Sequence, residues 1–380
     1  MNILISPNAF KNSLDASSAA KAIEQGLMES ELECSCQLFP VGDGGDGTAK
    51  LLLTAANGVS IAVPAHDPLG RMIQSSIGIS KDGKTGFIEM ADASGLRLLQ
   101  PSEYNPLKAT SFGTGELILE LLNRNVQKII LGIGGSATVD GGVGLLEALG
   151  FKFLDAKEKE LRQIPSGLEN LAYIVDRNID HRINNASLIV LCDVQNKLLG
   201  HDGSAAVFGP QKGASPKDIP ILEDGLLNFR NLVLEKMGKD MATIVHGGAA
   251  GGIAASLFVF FDAQLVDGIE YFLDITDFDQ ALSKADILIT GEGSMDIQTL
   301  QGKAPMGVAR RAKEKGIPVI ALAGSISQSD EPALRKYFDL MMPINPDGIS
   351  INNALQQTAS NLRMTAKKIA DSIASGQIKF

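Results

Sequence analysis

The sequence predicts a mixed α/β fold of two dissimilar α/β domains, one a Rossmann-like, mostly parallel sheet and the other inserted into it. Three observations predict this. Strand-like apolar runs alternate with amphipathic helical patterns along most of the chain, which is the pattern of parallel sheets. The alternation breaks between Asp67 and Met90, where two or three strands follow one another around a hairpin-type turn, Lys81-Asp-Gly-Lys84. Finally, three glycine-rich turns bearing carboxylates or hydroxyls each follow an apolar run: Gly42–Thr48 (GDGGDGT), Gly134–Gly142 (GGSATVDGG) and Gly291–Thr299 (GEGSMDIQT). Loops at the carboxyl ends of parallel strands are where open α/β proteins hold ligands.

In chain order, Asn2–Ser6 is the opening strand, followed by the loop PNAFKNSLD. A helix follows with Ala16, Ala20, Ile23 and Leu27 on one face and Asp15 as its N-cap. Further strands are expected at 37–41, 60–65, 73–79, 86–90, 128–133, 151–154, 187–191, 286–290, 318–323 and 339–343. Helical spacing predicts helices over 114–125, 143–150, 218–237, 304–315 and 352–375, the last with Leu355, Leu362, Ile369 and Ile373 as its apolar stripe. These elements place the Rossmann-like domain at 1–65 with 285–380 and the inserted domain at 66–284, with an active site expected in the cleft between them.

Composition narrows the function. The chain has 380 residues, 44 % hydrophobic and 21 % charged, an ordinary balance for a globular enzyme. A net charge of −10 without a Lys/Arg cluster argues against a nucleic-acid surface. An acidic protein that binds an anion must work locally, through backbone amides, a few cations and a metal ion. Cys34-Ser-Cys36 lacks the spacer of common zinc and redox motifs, and Cys192 stands alone. Ile3-Leu4-Ile5 is too short for a signal-peptide core, and the apolar stretch near Ala254–Phe261 is too short to span a membrane. A cytoplasmic enzyme with small-molecule partners is expected, with no nucleic acid or membrane; an oligomer is neither indicated nor excluded.

Each glycine-rich turn supports more than one chemistry. Gly132-Ile-Gly134-Gly-Ser-Ala137 fits G-x-G-x-x-G/A after a strand, and Asp155 ends the next one, where a ribose-binding acid would stand. That is the basis for an alternative reading, a nicotinamide-dependent hydroxy-acid dehydrogenase. Against it, Gly141, Gly142 and Gly144 crowd the helix that follows, at a cost of roughly 1 kcal/mol each relative to Ala. Ser136, Thr138 and Asp140 better suit phosphate oxygens and a hydrated metal. Asp43 and Asp46 are metal or hydroxyl partners, or caps of a helix starting near Thr48. Lys11, beside Asn8, Asn12 and Ser13 after the first strand, suits a carboxylate or phosphate. Asp193, directly after SLIVLC, is a candidate general base or magnesium ligand, and Gln211-Lys212-Gly213 adds a cation. Glu292, Asp296 and Lys303 can hold a metal and a phosphate, or form a cap with a salt bridge. No common P-loop and no protein-kinase motif set is present.

Taken together and in order, these segments resemble the bacterial glycerate kinase family, type I. The resemblance runs through PNAFKNSL, VGDGGDGT, DPLGR (Asp67–Arg71), ADASGL (Ala91–Leu96), TSFGTGELI (Thr110–Ile118) and GIGGSATVDGG, then CDVQN, FGPQKGA, GGAAGGIA, DILITGEGSMDIQT and GKAPMGVA. It implies magnesium- and ATP-dependent phosphorylation of D-glycerate on a fold of two dissimilar α/β domains, with 2-phosphoglycerate favoured over 3-phosphoglycerate. On this reading Gly134, Gly135, Ser136, Ala137, Thr138 and Lys303 hold nucleotide phosphates. Lys11, Ser13, Asp43 and Arg71 bind substrate, with Lys11 and Arg71 on the glycerate carboxylate. Asp193 and Lys11 are the catalytic candidates, Asp193 accepting the hydroxyl proton, while Asp296 or Glu292 takes magnesium. The chain departs from the family's DSFKGSL loop at Asn8, Ala9 and Asn12, from its GEGR-type turn at Ser294, and from CDV-x-NPL in reading CDVQNKL. The weakest alternative is a non-catalytic sugar-acid-binding protein.

Overall fold

The computed structural model describes residues 1–161, 164–346 and 348–380. The chain divides into two compact units, Met1–Asp43 with Ile269–Phe380, and Gly44–Gly268. The first unit opens with β1 (Asn2–Pro7), α1 (Ala16–Met28) and β2 (Ser35–Leu38). The second contains α2 (Thr48–Ala55), β3 (Val59–His66), β4 (Met72–Ile79), β5 (Thr85–Glu89), α3 (Ala91–Ser94) and α4 (Phe112–Leu122). It continues with β6 (Lys128–Gly132), α5 (Val143–Ala148), β7 (Lys152–Leu154), β8 (Tyr173–Val175) and β9 (Ser187–Cys192). It ends with α6 (Ser204–Phe208), α7 (Asp218–Met237), α8 (Ile253–Phe261) and β10 (Gln264–Asp267). The chain re-enters the first unit through α9 (Gly268–Ile275) and α10 (Phe278–Leu282). There it completes β11 (Ile287–Met295), α11 (Ala304–Glu314), β12 (Val319–Ile326), α12 (Glu331–Leu334), β13 (Leu340–Pro343) and α13 (Ile351–Ala374).

In the first unit a parallel sheet runs in the order β13-β12-β11-β1-β2. Its inner strand β1, between β11 and β2, is an unbroken apolar run because helices cover both faces, leaving Ile3, Leu4 and Ile5 buried. On one face α1 lies against α13; Ile23, Leu27, Leu362, Ala366 and Ile369 join the core there. Asp15 caps α1 by accepting from the Ser18 amide at 2.7 Å, and the Ser350 hydroxyl begins α13. From β1 the chain crosses to β2 on one side, whereas β11 leads to β12 on the other. The carboxyl ends of β1 and β11 therefore form a topological switch point, where this architecture leaves a crevice.

The second unit has a sheet of order β10-β9-β6-β5-β4-β3, parallel from β10 to β5 and antiparallel from there outward. The antiparallel stretch is the expected break in alternation, and the Lys81–Lys84 turn joins β4 to β5. Ile77, Leu117, Leu121, Ile129, Leu131, Val190, Phe229 and Ile253 are fully or nearly fully buried in its core. Each such side chain contributes roughly 1.5–3 kcal/mol on burial. No helix among the described residues is long and apolar enough to cross a membrane.

The unit boundaries fall at Asp43/Gly44 and Gly268/Ile269, not at 65/66 and 284/285. Packing explains both shifts. β3 pairs along its length with β4, and the α2 backbone amides bond to Glu89 at the end of β5, so 44–65 stay with the second unit. In the first unit, Arg311 binds Glu270, Asp274 and Asp279, and Phe278 meets Phe39 edge-on at 5.3 Å, which holds α9 and α10 there. The third glycine-rich segment is also not a turn at its start. β11 continues through Gly291–Met295 because its ladder with β12 persists to Ser294↔Ser325 and Met295↔Ile326.

Candidate active site

The first unit gathers polar groups at its switch point. The Asn8 amide nitrogen Nδ2 donates to Asp43 Oδ2 at 2.8 Å, and the Ala304 backbone N–H donates to the same oxygen at 3.2 Å. Asp43, 8 % exposed, thus fixes the loop after β1 to the N-terminus of α11, where a negative charge is favoured. On the β11 side Glu292 accepts from the Thr299 hydroxyl at 2.7 Å, and that hydroxyl accepts from the Asp296 amide at 3.1 Å. The Lys303 Nζ lies 3.8 Å from Glu292 and 4.0 Å from Asp296. Burial pushes the Glu292 carboxyl up to about 7, against the opposing pull of Lys303 and Thr299. Lys11 is exposed in the loop beyond β1, whose backbone runs beside Gly293.

Glu292 and Asp296 are hard oxygen donors around one ammonium. That donor set fits magnesium, which is commonly held by one or two carboxylates and completed by substrate phosphates and water. Among the described residues no group of three or more His, Cys, Asp and Glu forms a complete protein cage.

The second unit builds its own cluster at the carboxyl ends of β5, β6 and β9. After β6 the Gly134 amide donates to the Gly44 carbonyl at 3.0 Å and the Ala137 amide to the Ser94 carbonyl at 2.9 Å, pinning the turn at both ends. Between them the Gly135 and Ser136 amides have no acceptor among the described residues. Gly135 has φ 72°, and a Cβ there would meet Asp46 Oδ1 at 2.7 Å, so glycine is required. Such paired amides form an anion nest.

Beneath the turn Lys212 Nζ donates to the Ser136 hydroxyl at 2.8 Å and the Thr138 carbonyl at 2.7 Å. Burial pushes this ammonium down to about 7, while Asp140 and Asp193 act to keep it charged. Asp140 is wholly buried and accepts from Ser111, Gly142 and Gly144. It is an internal cap at the start of α5, and burial raises its carboxyl. Asp193, half-buried, follows β9 directly.

Of the expected residues, the structure brings Asp43, Glu292, Asp296 and Lys303 together in the first unit. In the second, Lys212 stands between the Gly134–Thr138 turn, which it hydrogen-bonds, and Asp193, whose charge acts on it. Lys303 and the Gly134–Thr138 turn belong to different units. Ser13 does not join the first cluster: its hydroxyl lies 2.5 Å from the Leu355 carbonyl and 2.7 Å from the Thr358 hydroxyl, tying the loop to α13. Arg71 is likewise committed, its guanidinium held by Asp67 at 2.5 Å and Glu103 at 2.6 Å, so two carboxylates already surround the cation meant for the glycerate carboxylate. Glu89, not Asp43 or Asp46, caps α2, accepting from the Gly47 and Ala49 amides at 3.0 and 2.8 Å. Burial raises Glu89 to about 7.

The dinucleotide reading fails on geometry. Asp155 directly follows β7, which pairs with β8 in a separate two-stranded sheet, and its carboxylate accepts from the Lys157 and Lys159 amides of its own turn. The helix after the glycines starts only at Val143, with Asp140 as its anchor. Sequence reasoning gave Lys212 only as an additional cation. Its position in FGPQKGA, with Gly213 in the left-handed region at φ 98°, was the available signal for a tightly turned, inward-facing lysine.

Comparison with known proteins agrees along the whole length. The model of the glycerate kinase family matches residues 3–374. A glycerate kinase of Halalkalibacterium halodurans is 42 % identical over 368 residues, 97 % of each chain. One of Bacillus subtilis is 40 % identical over the full length of both chains, covering 380 residues. A glycerate 2-kinase of Escherichia coli K12 is 38 % identical over 376 residues, 99 % of each chain. A crystal structure from Salmonella typhimurium LT2, assigned provisionally to glycerate kinase 2, superposes with a TM-score of 0.82 at 41 % identity over 99 % of both chains. With its α/β units, its glycine-rich turns and this end-to-end similarity, the chain belongs to the glycerate kinase family.

Proposed function

We propose that this protein transfers the γ-phosphoryl group of ATP to D-glycerate, releasing ADP and 2-phosphoglycerate. The observation that carries the reading is its full-length similarity to proteins named glycerate kinase, and the glycerate 2-kinase of Escherichia coli supports the choice of product. The local chemistry is compatible. Phosphoryl transfer needs alignment, charge neutralisation and exclusion of water more than covalent participation. The Gly134–Thr138 nest takes phosphate oxygens of the nucleotide. Asp193 accepts the proton of the glycerate hydroxyl as its oxygen bonds to the γ-phosphorus and the bond to the β,γ-bridging oxygen breaks. Lys11 receives the glycerate carboxylate, and Lys303 lies beside Glu292 and Asp296 to balance phosphate charge. Magnesium, held through Glu292 or Asp296, supplies further neutralisation of the phosphate oxygens. On this reading the partners are ATP and D-glycerate, and the enzyme works in the cytoplasm.

The test is ADP release from ATP and magnesium with D-glycerate, followed by phosphorus NMR of the product. Turnover with D-glycerate is expected, with a product phosphorus coupled to the single proton of C2. Coupling to two protons would assign 3-phosphoglycerate. Absence of ADP release with glycerate would remove the reading.

A further inference from the structure

Lys212 is 2 % exposed, and its two hydrogen-bond partners, the Ser136 hydroxyl and the Thr138 carbonyl, are both neutral. No carboxylate among the described residues lies within ion-pair distance of it; Asp140 and Asp193 reach it only through their fields. Burying an ammonium without a direct counter-ion is costly, and an anion bound beside it offsets that cost. An ammonium carries three N–H donors, of which two are spent here. The groups around it are short of partners too: the Gly135 and Ser136 amides have no acceptor, and the Thr138 hydroxyl is buried without one among the described residues. Donors in surplus around one turn, with a buried cation beneath, suit an anion.

We propose that Lys212 is a phosphate ligand of the second unit, its remaining N–H taking an anionic oxygen of the phosphoryl ligand seated on the Gly134–Thr138 turn. The proposal rests on the kinase reading for the identity of that ligand as ATP. It differs from a purely structural role, in which Lys212 would only staple Ser136 to Thr138. Charge separates the two. Glutamine at 212 can preserve hydrogen bonds to both partners without charge, whereas methionine removes bonds and charge together.

The experiment compares wild type, Lys212→Gln and Lys212→Met. It reads the thermal shift induced by ATP, or by inorganic pyrophosphate, and separately kcat and the KM values for ATP and D-glycerate. Loss of a charged hydrogen bond predicts an ATP affinity roughly 10- to 100-fold weaker in both variants. KM for D-glycerate should change little, and the ligand-induced thermal shift should be largely lost. If Lys212→Gln keeps the wild-type shift and KM for ATP, the proposal is overturned, whatever happens to basal stability. If Lys212→Met does not fold, Lys212→Gln alone decides. Should wild type bind pyrophosphate yet phosphorylate no glycerate, the kinase reading fails while the Lys212 comparison still stands on pyrophosphate.

Discussion

Asp193→Asn preserves the shape of the side chain and removes its affinity for a proton. If Asp193 accepts the glycerate hydroxyl proton, kcat should fall by roughly 10²–10⁴-fold, with KM for both substrates within a few-fold of wild type. An unchanged kcat in steady-state assays would exclude it as base. Asn8 allows a second test at this scale. Its amide donates to Asp43 at 2.8 Å, so Asn8→Asp would place two carboxylates in hydrogen-bond contact. They cannot both ionise cheaply, and one should hold its proton to higher pH. The variant should therefore lose thermal stability relative to wild type as pH rises from 5 to 8. A constant difference across that range would mean the two groups move apart. Single residues were the least legible part of this chain. Ser13 and Arg71 have suitable chemistry and stand in suitable loops, but Leu355, Thr358, Asp67 and Glu103 engage them first. Three of these partners lie more than twenty residues away, and no local pattern announces such competition.

At the scale of elements, the close contact between α1 and α13 hangs on one position. A Cβ on Gly26 would lie 2.1 Å from the Arg363 carbonyl oxygen and 2.9 Å from the Ala366 Cβ. Gly26→Ala gains up to about 1 kcal/mol of helix propensity. It must also push the helices apart, which typically costs about 1–3 kcal/mol. The expected outcome is a net loss, seen as a thermal midpoint lower by a few degrees. A raised midpoint would mean that the helix pair yields without loss of packing. Elements were largely readable because periodicity is local: α7 spans 218–237 as its apolar spacing predicts, and the strands from β1 to β7 stand close to their expected places. β8 and β10 went unseen because they have three and four residues and owe their extended form to a neighbour, Leu154↔Tyr173 in one case and Val190↔Leu265 in the other. The unit boundary was misplaced for the same reason, since the partners that claim 44–65 are β4 and Glu89.

Across the whole molecule, buried titratable groups shape the response to pH, and three of those in the second unit are carried to about 7. Burial raises Glu89 and Glu147 to about 7 and lowers Lys212 to about 7. Between the ordinary carboxylate range near 4.5 and pH 7, the folded state keeps protons on Glu89 and Glu147 that the unfolded chain has released. Stability from these two groups is therefore greatest at acid pH and falls as pH rises toward 7. For Lys212 the sign reverses. Between pH 7 and its ordinary value of 10.5 the unfolded chain holds the extra proton, so its contribution rises with pH. Thermal midpoints of Glu89→Gln and Lys212→Gln, each measured against wild type from pH 5 to 10, separate the two. The difference for Glu89→Gln should grow in favour of the variant between pH 5 and 7 and then level off. The Lys212→Gln difference should favour the variant most at and below pH 7 and shrink above it. ATP should act on the second profile alone, because an anion beside Lys212 restores the proton that burial drives off. A wild-type profile in which ATP stabilises equally at pH 6 and pH 9 would show that the bound phosphate and the Lys212 charge are not coupled.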